Sequence, residues 1–210
     1  FEKAIEADPS YARAHAWRAC SLSNLADWEE NPDPELSKNA IESAHLALEL
    51  DPNDPEAHRI MGAIKIWMEK DYKLGKFHFE KARELCPSDV YIISRYALML
   101  IYIGDVEKAL SELKRAMRLD PFSHDILFSQ EGMCHYWIGD YDKAVDSFRK
   151  VKVLRQNLFY LAASYFKKGD LDSGSEKLKE AVTVTGLSAD KFVDSLPYEK
   201  EKMINDLRNV

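Results

Sequence analysis

Along this chain apolar residues recur at three- and four-residue spacing, and each such run stops at one of two kinds of break. Tyr96, Leu100 and Ile103 share one stripe, and Ala109, Leu113 and Ala116 share the next. Spacing of this kind puts the apolar side chains on one face of an α-helix. The first break reads Gly104-Asp105-Val106, Gly139-Asp140-Tyr141 and Gly169-Asp170-Leu171, with Lys70-Asp71-Tyr72 as a degenerate copy. The second ends in proline: AIEADP to Pro9, ALELDP to Pro52, ARELCP to Pro87 and AMRLDP to Pro121. Glycine ends a helix in the left-handed conformation, aspartate caps the next one, and proline suits a boundary or a first turn. Gly-Asp is therefore the turn inside a helical hairpin, and Asp-Pro the turn between hairpins. The prolines at 9, 52, 87 and 121 step by 43, 35 and 34 residues, and the glycines at 104, 139 and 169 by 35 and 30.

Residue size recurs in phase with these breaks. Small residues (Ala19, Gly62, Ala97, Gly132, Ala162) sit in the first helices, and Ala40, Ala109 and Ala144 in the second. Phe79, Leu113, Phe148 and Leu178 form a layer of large residues beside them. Small against large lets paired helices interdigitate at crystal-like density. The pattern resembles the tetratricopeptide repeat family, whose period is about 34 residues. The resemblance runs from Phe1 to about Gly186 and is best over Val90 to Pro121. It implies an all-α fold, an α-α superhelix of stacked antiparallel hairpins. Three departures stand out. Lys65 occupies a slot where a large aromatic is usual, Gly174 stands where alanine is usual, and the repeat ending near Arg155 lacks its Asp-Pro turn. The 30-residue step there predicts a tighter junction.

The organisation that follows is an array over 1–186 and a tail over 187–210. Within the array lie a partial repeat at 1–9 and hairpins at 12–52, 53–87, 88–121, 122–154 and 155–186. The chain opens on the end of a second helix, which predicts an upstream partner and an uncapped apolar patch around Phe1 and Ile5. That open end allows pairing with a second copy. Residues 26–38 form an acidic insertion with Asp27, Glu29, Glu30, Asp33 and Glu35 around Trp28. It is either a solvated insertion or a contact loop for a basic partner. In the tail, Ser188-Ala189-Asp190 starts a helix, Pro197 interrupts it, and Lys200 to Leu207 is amphipathic, a cap for the last hairpin. Phe192, Leu196-Pro197-Tyr198 and Asp206-Leu207-Arg208 also resemble the end of bacterial signalling proteins that carry an N-terminal nucleotide cyclase or winged-helix DNA-binding domain, with a shorter spacing here.

Composition narrows the function. Hydrophobic residues make up 46% and the net charge is -7, so a packed core is affordable and phosphate-backbone binding is disfavoured. Direct nucleic-acid contact and membrane insertion are not expected. Cys20, Cys86 and Cys134 fit no disulfide or zinc spacing, which suits a reduced, cytoplasmic setting. No phosphate loop, nucleophile elbow or H-E-x-x-H pair occurs among the six histidines. His135 follows Cys134, but neighbours on a helix point about 100° apart. His15 and His58 fall at matching places and read as packing residues. No enzyme activity and no cofactor are expected.

The resemblance implies that the first helices line an inner groove. Carried onto this chain, it assigns Arg13, Arg59, Trp67, Tyr91, Arg95, Tyr102, Tyr136, Trp137, Phe159 and Tyr160 to a peptide-binding face. Trp67, Tyr102 and Trp137 recur at one place in three successive repeats. Aromatic and arginine side chains dominate binding energy at interfaces, but aromatics are also core residues, so these either line the groove or cover neighbouring helices. The chaperone-tail clamp of some family members is missing, since Ala16 and Cys20 stand where lysine and asparagine would be. The expected function is protein–protein interaction through a bound peptide or protein segment. The alternative is a C-terminal regulatory or sensory domain for an attached cyclase or DNA-binding domain.

Overall fold

The structure is a computed structural model that describes residues 1–28, 33–122, 125–153 and 155–210, with residues 26–28 described by backbone alone. The regular elements among the described residues are thirteen helices, so the fold class is all-α. The chain forms two compact units, residues 1–96 and 97–210. The first contains α1 (Glu2–Ala7), α2 (Ala12–Trp28), α3 (Pro34–Leu50), α4 (Pro55–Trp67), α5 (Tyr72–Leu85) and the first half of α6 (Val90–Tyr102). Here α2 pairs with α3 and α4 with α5, while α4 also packs on α2 and α3. The second holds the rest of α6, then α7 (Val106–Leu119), α8 (Asp125–Ile138), α9 (Tyr141–Arg149), α10 (Asn157–Lys167) and α11 (Leu171–Thr185). The tail adds α12 (Ala189–Ser195) and α13 (Glu201–Arg208). In this unit α8 pairs with α9 and α10 with α11, α10 also packs on α8 and α9, and α12 packs on α13.

The two kinds of break act as their chemistry requires. Asp54, Asp71, Asp140 and Asp170 each accept a backbone N–H three residues on, and Pro34 and Pro55 occupy first-turn positions where no N–H is needed. Gly104, Gly139 and Gly169 take φ of +77°, +87° and +83°. Each lets the following aspartate N–H reach back five residues, as Asp105 does to the Leu100 carbonyl at 2.8 Å. At the degenerate copy Lys70 takes φ +57°, and the Asp71 N–H reaches six residues back, to the Lys65 carbonyl at 2.8 Å. The degenerate copy thus closes a turn one residue wider and bears a left-handed strain of about 1–2 kcal/mol that glycine avoids.

Hairpins close where a glycine faces a ring. A Cβ at Gly62 would lie 2.8 Å from the Phe79 ring, and one at Gly132 2.7 Å from the Phe148 ring. The unusual Gly174 follows the same rule, since a Cβ there would come within 2.5 Å of Phe166. The 30-residue step is absorbed in the second helix: α9 has 9 residues where α7 has 14. Beyond it, the Lys152 N–H is held by Asp125 Oδ2 at 2.9 Å. In the first unit, Ala16, Ala19, Ala44 and Ala47 pack with Ala57, Ile60, Met61 and Ile64.

At the start, α1 buries no residue and Phe1 is 56% exposed. Of the acidic insertion, Glu29, Glu30 and the side chains of Asp27 and Trp28 lie outside the described residues. On its far side Asp33 caps α3 through the Glu35 N–H at 3.0 Å.

Candidate peptide-binding faces

On the first unit, cations and rings alternate along α2, α4 and the start of α6. Phe1 stacks on Trp17 at 6.4 Å between centroids, and the Arg59 guanidinium lies 5.5 Å from the Trp17 ring and 5.1 Å from the Tyr91 ring. Arg95 continues the series at 5.8 Å from Tyr91. Arg59 is 1% exposed, and its Nε donates to Glu56 Oε2 at 2.9 Å. Its Nη2 also lies 2.8 Å from that oxygen, but without a straight hydrogen bond. Burial works against the Arg59 charge, yet the Glu56 hydrogen bond and charge outweigh it and raise its pKa. Arg13 Nε donates to Asp54 Oδ2 at 2.8 Å, and the same carboxylate caps α4 through the Ala57 N–H. Arg59 is therefore a buried strut between two rings. Tyr91, 43% exposed, and the half-buried Arg95 and Trp17 are what this face presents to solvent.

Below this face the two matching histidines hold the turns between hairpins. His15 Nε2 donates to the Pro9 carbonyl at 2.9 Å and His58 Nε2 to the Pro52 carbonyl at 3.0 Å. With its proton on Nε2, His58 accepts at Nδ1, so His78 Nδ1, 3.0 Å away, is the donor between them. Burial, and then the facing His58, Lys65 and His45, lower the His78 pKa to about 4. The unfolded chain takes up that proton near pH 6.5 while the folded chain does not. Stability is therefore complete above pH 6.5 and falls as pH drops toward 4. The expected loss is about 1–2 kcal/mol after allowance for solvent screening. Urea midpoints at pH 7 and 4.5 should show it, and His78→Gln should flatten that part of the difference.

On the second unit the aromatic side chains of the first helices are already covered. After α12, whose C-cap Leu196 is extended, the non-helical segment Leu196-Pro197-Tyr198 lays Tyr198 among the aromatics of the first helices. The Tyr198 hydroxyl accepts from Trp137 Nε1 at 2.8 Å and is 2.6 Å from the Tyr160 hydroxyl. Its ring meets Tyr102 and Trp137 edge-on at 5.0 and 5.3 Å. Phe192 stacks on Phe159 at 4.4 Å with 12° between planes and meets Tyr160 edge-on. Two further bonds hold the segment: Glu199 N–H to the Tyr102 carbonyl at 3.0 Å, and Lys200 Nζ to the Gly104 carbonyl at 3.3 Å. Burial pushes the Tyr160 and Tyr198 pKa values well up, so both hydroxyls stay protonated.

Of the ten residues expected on a groove, the structure gathers Arg59, Tyr91 and Arg95 in the first unit, with Arg13 on α2. It gathers Tyr102, Tyr136, Trp137, Phe159 and Tyr160 in the second. Trp67, at the end of α4, is half-buried. Besides Arg59, four of the ten (Tyr102, Tyr136, Phe159, Tyr160) are under 9% exposed. The tail packs on Tyr102, Phe159 and Tyr160 and closes them to a partner, while Tyr136 is packed among Trp137, Tyr141 and Tyr160. The tail also reaches past its expected place as a cap on the last hairpin, to α8 and the end of α6. Sequence reasoning missed Phe192 and Tyr198 as site residues, although two aromatics flanking the only proline of the tail were the available signal.

Cys134 is fully buried and burial pushes its thiol pKa far up, while burial lowers that of His135. No group of three or more metal-ligating side chains occurs among the described residues, and no described helix is long and apolar enough to cross a membrane.

Residues 130–153, from α8 through the Gly139-Asp140 turn and α9, match the family profile described as tetratricopeptide repeat. PilW, a type IV pilus biogenesis factor, superposes with a TM-score of 0.67 over 87% of this chain and 81% of PilW, at 18% identity. The fold is that of a tetratricopeptide-repeat array. YrrB, a repeat protein described as having an unusual peptide-binding site, matches over 100% of this chain and 98% of its own, with a TM-score of 0.54 and 20% identity. Human IFIT1, solved as a dimer with m7Gppp-AAAA, matches with a TM-score of 0.70 over 87% of this chain and 44% of its own, at 21% identity. At these identities the likeness carries the fold alone. Among curated sequences, the transcriptional regulator HilA of Salmonella typhimurium is 31% identical over 107 residues, 51% of this chain and 18% of that protein. Human IFIT1 homolog B is 28% identical over 138 residues, 64% of this chain and 28% of that protein. The chain thus spans less than a third of the length of either relative. No catalytic family is indicated.

Proposed function

We propose that this chain is a non-catalytic binding module that takes a protein segment on the inner face of its first unit. The observation that carries this reading is the cation–ring series in which Arg59 is locked while Trp17, Tyr91 and Arg95 remain accessible. A rigid buried strut under exposed aromatic and arginine side chains is the arrangement in which binding energy concentrates, because little entropy is lost on contact. The chemistry selects an aromatic-bearing segment with carboxylates for Arg95 and the half-exposed Arg13. The acidic chain as a whole argues against phosphate-backbone recognition on this face. The test is selection of peptides from a displayed library, followed by titration. Selected sequences should be rich in aromatic and acidic residues, and Tyr91→Ala should weaken them at least tenfold, about 1.4 kcal/mol or more. Peptides that bind wild type and Tyr91→Ala/Arg95→Ala alike would sink the reading.

A second reading rests on the match to a transcriptional regulator: the array is the C-terminal regulatory part of a larger protein with a DNA-binding domain. The coding sequence before Phe1 decides it, since an effector domain there is required. The resemblance to cyclase-linked tails belongs to the same reading.

A further inference from the structure

We infer that the inner face of the second unit is a recognition groove for a tyrosine on an extended Pro-Tyr segment. The chain's own tail is its resident occupant, and a partner segment of the same chemistry displaces it. The seat is a built one. Tyr160, 2% exposed, and the indole N–H of Trp137 both meet the Tyr198 hydroxyl, and the rings of Tyr102 and Trp137 wall its side chain. A backbone N–H from the next residue completes the hold on the Tyr102 carbonyl. A main-chain bond for affinity and one pocket for a side chain is how extended peptides are read. Left empty, the face would turn a broad aromatic surface to water, and an occupant with a tyrosine hydroxyl covers that surface while pairing the Tyr160 hydroxyl and the Trp137 indole.

Three observations make the resident replaceable. The tail leaves α11 at the exposed Gly186, whose φ is +72° and where an added Cβ would meet nothing within 4 Å. Between the last hairpin and the tail lies a cavity of about 160 Å³, walled by Phe159, Phe166 and Leu178 on one side and Phe192 and Leu207 on the other. A partner with a larger apolar side chain would fill it better than the tail does. The Tyr136 hydroxyl, buried in the same aromatic cluster, has no hydrogen-bond partner among the described residues. Tethering gives the resident an effective concentration of order millimolar, so a free segment competes only when its own contacts are stronger or the tail's hold is weakened.

The face tested here is separate from the Tyr91–Arg95 face, so either can fail alone. The probe is a fluorescein-labelled peptide copying residues 190–200, titrated by anisotropy into the full chain. Tyr198→Ala, which empties the pocket, should bind it at least tenfold more tightly than wild type. On that variant, a peptide with phenylalanine in place of its tyrosine, or the added change Trp137→Phe, should each weaken binding several-fold. Equal binding to wild type and Tyr198→Ala, or none to either, with helical circular dichroism unchanged, overturns the inference. If Tyr198→Ala loses its helical signal, the comparison moves to Tyr198→Phe, which keeps the ring. Loss of the fold there as well makes the tail a fixed part of the core and also overturns the inference.

Discussion

Arg59→Ala is expected to lower folding stability by about 3–5 kcal/mol, the scale seen when one partner of a buried ion pair is removed. The guanidinium is 1% exposed, lies between the Trp17 and Tyr91 rings, and neutralises Glu56. Truncation would empty the space between two rings and leave a carboxylate with little access to water. Each desolvated cation–ring contact contributes up to about 2 kcal/mol, so both losses act in one direction. The double change Arg59→Met/Glu56→Gln should behave differently. It removes both charges, keeps the volume, and sets a thioether against the rings, so most of the stability should return, to within about 1–2 kcal/mol of wild type. Urea unfolding followed by circular dichroism measures both. A loss below about 1 kcal/mol for Arg59→Ala would show that the cation–ring series is a surface decoration rather than a strut.

Phe148→Ala should cost about as much, 3–5 kcal/mol, because the ring is fully buried and its removal leaves a cavity between α8 and α9. Gly132→Ala alone should cost about 1–3 kcal/mol, since its methyl would stand 2.7 Å from the ring and neither helix can withdraw without unpacking the hairpin. Together the two changes should cost less than their sum by about 1 kcal/mol or more, because the new methyl occupies part of the space the ring vacates. Additive behaviour would mean that the glycine is there for some reason other than the ring. The same cycle at Gly62 and Phe79 should give the same sign, because the two pairs occupy equivalent places in their hairpins.

That equivalence explains how much could be read before the fold was seen. Turn, cap and close-approach residues act within one or two helical turns, so their spacing reports them directly. The Gly-Asp breaks, the departing copy at Lys70 and the small-against-large layers all belong to this class. Gly174 stands where alanine is usual, and the Phe166 ring presses on the space it leaves. The face of each first helix expected to bear the groove residues came from the family resemblance, carried along the repeat period. Periodicity cannot say which of two equally aromatic faces is open, however, because exposure depends on what a distant segment does.

The molecule divides along that line. By itself the sequence determined an all-α array of hairpins, the turns that separate them, and the side of each first helix that bears aromatics and arginines, since all of these follow from local backbone chemistry and a repeating period. Only the tertiary structure decided which of those side chains are accessible. Arg59 became a strut because Glu56 and two rings from other helices close around it. Tyr102 and Tyr160 became covered because Tyr198, 96 and 38 residues further along the chain, lies against them, and Phe159 because Phe192 stacks on it. A contact made across that separation depends on where the intervening helices carry the chain, and no residue within the repeats encodes it alone.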